Sequence, residues 1–111
     1  MKNRILHLTL ADLVVDPRNA ADRVNEACRR RPHMRPTGVC LGQDVLVVPM
    51  EEVPRDDGRQ YLFAPLGDNT IDHVDLTAIV NSRFYAGFST LGSFDDGHNL
   101  WGFFAREPQK P

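Results

Sequence analysis

Histidine and carboxylate stand together twice in this chain, in Asp72-His73-Val74-Asp75 and in Asp95-Asp96-Gly97-His98. A carboxylate beside an imidazole can orient a general base or share a divalent cation, so His73, Asp75, Asp95 and His98 are the candidates for a polar site. The second group has a competing use. Asp-Gly is the dipeptide a tight hairpin turn demands, and the sequence favours turn building over catalysis there. Asp68, Asp72 and Asp75 lack the sharp-bend glycine and the bidentate glutamate of a calcium loop. The reading therefore assigns no catalytic residue, no metal and no cofactor.

Other residues that could carry chemistry are better used elsewhere. Cys28 and Cys40 lack C-x-x-C spacing; one falls on an apolar helix stripe and the other in a strand, where thiols behave as small hydrophobes. Gly-rich phosphate loops, nucleophile elbows and H-E-x-x-H are all absent from the sequence. Arg29, Arg30, Arg31 and Arg35 could combine with Trp101 and Phe103 into a platform for single-stranded nucleic acid, but the net charge of −2 opposes a nucleic-acid module.

The framework carrying these residues centres on Phe84 to Arg106. Asp96-Gly97 predicts a two-residue type I′ loop, with Asp95 opposite His98, Phe94 opposite Asn99, Gly92 opposite Trp101, Thr90 opposite Phe103 and Phe88 opposite Ala105. One face then collects Phe88, Phe94, Trp101 and Phe103, and the other carries Leu91, Leu100 and Phe104. Upstream, alternation over Arg4 to Leu13 predicts a half-buried strand. Asp16 caps a helix from Pro17 to Arg31 with an apolar stripe of Ala20, Ala21, Val24, Ala27 and Cys28, and Val15 is placed to staple onto Ala20. Val39 to Leu41 and Val45 to Val48 read as strands joined by Gly42-Gln43-Asp44. Gln60 to Ala64 is a strand and Pro65 to Thr70 a loop. The stretch from Ile71 to Arg83 fits both periods, with a helix from Leu76 to Arg83, capped by Asp75, preferred. Glu107 to Pro111 is a polar tail that should fray. Strands outnumber helices and the connections are short, which gives a single α+β domain over residues 1–111 with a mostly antiparallel sheet.

Composition bounds the function more than it defines it. With 41% hydrophobic and 25% charged residues, the chain is ordinary for a globular domain. Its apolar runs are far shorter than the roughly 20 residues of a membrane span, so no membrane association is expected. The basic start lacks a cleavage site and the two cysteines fit a reducing compartment, which predicts a cytoplasmic protein. Charge divides unevenly: residues 1–35 carry eight Lys/Arg against four Asp/Glu, and residues 36–111 carry five against eleven. One thin-striped helix cannot cover both faces of the central hairpin, so either the Leu76 to Arg83 segment is a second covering helix or another copy of the chain buries the remaining face. The reading is thus a non-catalytic binding protein that self-associates as a homodimer, or meets a protein partner, through Leu91, Leu100 and Phe104. The alternatives are a small enzyme or ligand-binding protein with an Asp/His pocket between subunits, formed by His73, Asp75, Asp95 and His98, and a nucleic-acid-binding module.

Overall fold

The structure, a computed structural model, describes residues 3–108 apart from the side chains of Phe84 and Tyr85; positions 109–111 of the polar tail lie outside the described residues. In chain order the elements are β1 (Asn3–Thr9), α1 (Leu10–Val15), α2 (Pro17–Arg29), β2 (Met34–Pro36), β3 (Cys40–Leu41), β4 (Val45–Glu52), β5 (Gln60–Asp68), α3 (His73–Tyr85), β6 (Phe88–Asp95) and β7 (Asn99–Arg106). They form two antiparallel sheets, β1-β4-β2 with β3 also on β4, and β5-β7-β6. The α+β class with dominant antiparallel sheet is as the sequence implied. Among the described residues no helix is long and apolar enough to cross a membrane.

Alternation decides what each strand buries. Leu46, Val48 and Met50 of β4 point inward, with Leu8 and Leu6 of β1 opposite the first two. The intervening Val45, Val47 and Pro49 lie on the outer face, half-buried. The inner face, α2 and one face of the second sheet share a single core that includes Leu13, Val24, Phe63, Phe94, Trp101 and Phe103. The far face of the second sheet buries Ala64, Leu66 and Phe104 beneath Leu76 and Ile79 of α3. The second sheet is therefore the middle layer of the molecule.

Several expectations are corrected. The strand predicted from Arg4 to Leu13 ends at Thr9, whose hydroxyl accepts from the Asp12 N–H and starts α1; Thr9-x-x-Asp12 is a helix-start pattern that the leucine alternation masked. Asp16 caps α2 as read, accepting from the Asn19 N–H, but Val15 is 84% exposed and staples nothing. The helix stops at Arg29, since Arg30 already has extended backbone. A short strand, β2, begins after Pro32 and ends on Pro36, where two prolines suggested only a helix stop; it sits on the edge of its sheet, where a proline is tolerated. Cys40 is exposed on the outer face, although Cys28 is buried.

The strand at Gln60 continues to Asp68, and a bulge between Pro65 and Gly67 absorbs residues assigned to a loop. The ambiguous stretch is a helix, longer than expected, and its cap is Asp72, which accepts from the Asp75 N–H, rather than Asp75.

The hairpin register differs from the type I′ expectation. Asp96 joins the ladder by donating to the Asn99 carbonyl, so the loop is Gly97-His98, and Gly97 alone takes positive φ, at 96°. Asp95 faces Leu100, Phe94 faces Trp101 and Gly92 faces Phe103. An irregularity at Leu91 then shifts the register, which turns Phe88 away from the main core and onto Phe104. A Cβ on Gly92 would lie 3.0 Å from the side chain of Val39, in the segment just before β3.

Candidate functional site

Of the residues weighed for chemistry, the aspartates Asp68, Asp95 and Asp96 hold turns, and His73, Asp75 and His98 are exposed, with no side-chain hydrogen bond joining the two Asp/His groups among the described residues. Asp68 accepts from the Thr70 N–H and hydroxyl, which lowers its pKa, and Asp95 accepts from the Gly97 N–H. Asp96 holds the most groups: one oxygen accepts from the His98 and Asn99 N–H groups and the other from the Trp101 indole at 2.8 Å. These bonds, led by that from Asn99, keep its carboxyl below the usual range. Asn69 stitches the end of β5 to the hairpin tip through Gly97 and His98. His73 and His98 are both exposed, at the start of α3 and in the hairpin loop. Among the described residues no group of three or more His, Cys, Asp or Glu is placed to hold a metal ion.

The predicted contact patch is divided by the fold. Phe104 is fully buried under α3, Leu100 is half-buried in the same cluster, and Leu91 packs against the main core. Phe104 is out of reach of any partner while α3 is docked. Trp101 and Phe103 are also buried, so neither offers a ring for a nucleobase. Cys28, desolvated in the core, has its thiol pushed up to about 12, which disfavours the thiolate a nucleophile needs.

A different surface has the shape of a site. Between α2 and β5 runs a groove of about 860 Å³. Pro17, Arg18, Ala21, Asp22, Asn25 and Arg29 line it along the helix, residues 60–65 line it along the strand, and Arg83 and Phe88 close it from the α3 side. Helix positions 18, 21, 22, 25 and 29 share one flank because they are three or four apart. From Arg18 to Arg29 that flank is about 16 Å long at 1.5 Å per residue. Volume and mixed lining fall within the range of ligand sites.

Asn25 fixes the geometry. Its side-chain oxygen accepts from the Tyr61 N–H at 2.9 Å, and its amide nitrogen donates to the Tyr61 carbonyl at 3.1 Å. A side-chain amide thus mimics one residue of a neighbouring strand on the free edge of β5. Arg29 donates to the carbonyls of Asn25 and Arg59 and lies 3.8 Å from Asp56. The same helix also serves the other sheet, because Arg23 reaches the His7 carbonyl and Ala27 accepts from Arg4. The Asn25–Tyr61 and Arg29–Arg59 bonds run α2 antiparallel to β5, and Arg18, one end of that flank, lines the groove together with Phe63–Pro65. Sequence reasoning missed this site because Asn25 and Tyr61 are 36 residues apart and neither belongs to a motif.

Of the charged side chains on the groove, three are arginines and one is a carboxylate, Asp22. Arg29 is engaged as described, and Arg83 lies over the Phe104 ring at 5.9 Å. Arg18 is exposed, and among the described residues no hydrogen bond or ion pair engages it. The arrangement can hold an anionic group over an apolar floor. In comparisons with known protein families, curated proteins and solved structures, nothing matches this chain.

Proposed function

We propose that the protein acts by binding, and that the groove between α2 and β5 is where its partner sits. The observation that supports this is the groove itself, an opening of about 860 Å³ with an apolar floor and three arginines against one carboxylate. Amide NMR of the full chain, titrated with mixed pools of short peptides and small organic anions, tests it. Shifts should concentrate on α2 and residues 60–65, and be reduced by Arg18→Glu. Ligands that shift only other surfaces, or pools that shift nothing, would remove the groove from consideration.

A second reading, self-association, is favoured by the outer face of the first sheet. Ile5 is 57% exposed there, opposite Pro49, and Val45 and Val47 are half-buried beside it. Light scattering should give about twice 12.5 kDa, falling to the monomer value in Ile5→Asp. A monomeric wild type at micromolar concentration ends this reading.

A further inference from the structure

We infer that the groove takes a short, extended peptide segment bearing an Asp or Glu side chain, added as a strand beside β5 at Phe63–Pro65 with its carboxylate on Arg18. This rests on the groove being the binding surface, and it names the ligand class.

β5 is the outer strand of its sheet, with β7 on its other side. The Tyr61 N–H and C=O point away from β7, because both are bonded to Asn25. Strand alternation points those of Phe63 the same way. Pro65 has an outward carbonyl and no donor. The free edge is therefore occupied at Tyr61, open at Phe63 and half-open at Pro65.

That pattern selects the occupant. A second copy pairing along the length of β5 would need the Tyr61 groups that Asn25 holds and a donor that Pro65 lacks, the usual means of blunting an edge. A short segment needs only the open pair at Phe63 and the acceptor at Pro65. The groove's length of about 16 Å accommodates about five residues of extended chain at 3.3 Å each. Strand addition supplies main-chain hydrogen bonds, and side-chain pockets supply selectivity. Arg18 lines the groove together with the open stretch and has no partner among the described residues, and a carboxylate complements it bidentately.

The test pans a displayed library of random octapeptides against the full chain, and follows selected synthetic peptides by amide NMR. In parallel, benzoate and phenyl phosphate are titrated. The inference expects selected sequences to share one acidic position. Binding should fall at least tenfold in Arg18→Glu, remain within twofold in Arg31→Glu, and fall at least tenfold when the one peptide amide facing the Phe63 carbonyl is N-methylated. Circular dichroism checks that both variants fold. Selected peptides without acidic preference, indifferent to Arg18→Glu, or tolerant of N-methylation at every position would overturn it. No selected peptide, with benzoate or phenyl phosphate shifting groove amides, would overturn the ligand class and leave the binding reading standing. Groove amides that respond to nothing would overturn both.

Discussion

Asp96 shows how one residue type can invite a chemical reading and serve architecture instead. Its three accepted bonds hold the hairpin tip and the Trp101 indole together. Asp96→Ala should destabilise by about 1–2 kcal/mol in chemical denaturation. Because its native pKa is lowered from 3.8, its contribution is complete above that value and is lost as pH falls through the lower native value. Acid unfolding followed by circular dichroism should accordingly be shallower in Asp96→Asn than in wild type. Asp-Gly located this turn from sequence, but not which residue takes positive φ: the Asp96 carboxylate captures the N–H groups beyond it and leaves Asp96 in the ladder. Gly97→Val should still cost about 1 kcal/mol, through strain alone, since no atom lies within 4 Å of a Cβ there.

Tyr61 makes the opposite case. It is 3% exposed, its hydroxyl has no partner among the described residues, and burial, reinforced by Asp57, pushes its pKa up to about 12. A raised phenol pKa stabilises the fold fully below the unfolded value of 10, a contribution lost as pH rises from there through about 12. Tyr61→Phe should match or exceed wild-type stability at neutral pH by up to about 1 kcal/mol, and lose less stability above pH 10. A clear loss at neutral pH would mean that the hydroxyl is satisfied.

Among the elements, α2 was legible outright, whereas α3 was legible only as the preferred of two readings, with its start placed three residues late. Asp16-Pro17 and the alanine stripe specify α2 locally. The α3 segment alternates as well as it spirals, and only the apolar far face of the second sheet decides between the two. The Leu91 irregularity was invisible for a related reason: it is set by β6 meeting β7 and the first sheet together. Two substitutions test these joints. Gly102→Ala would put a Cβ 2.5 Å from the buried Phe104 ring, so denaturation should show a loss of about 2 kcal/mol as the ring and α3 are displaced. Asn25→Ala leaves the Tyr61 N–H and C=O unpaired and should cost about 1–3 kcal/mol.

For the whole molecule, the layering follows from counting faces. Two sheets and α2 share one core, α3 covers the remaining aromatic face, and the outer face of the first sheet stays half-open. The expectation that one helix could not cover both faces of the hairpin was sound, and a second helix meets the need. The uneven charge along the chain has a local counterpart in the groove, whose helix wall belongs to the basic third of the sequence. The groove could not be read from sequence, because it exists only where a helix flank meets a strand edge.

Residue-resolved amide hydrogen exchange on the free protein reads the edge of β5 itself, closed at Tyr61 and open at Phe63. The Tyr61 amide should exchange slowly in wild type and much faster in Asn25→Ala, while the Phe63 amide, though its residue is only 5% exposed, should exchange quickly in both. A Phe63 amide as protected in the free protein as those between β5 and β7 would mean that the edge is already paired, and would contradict the groove as a binding surface.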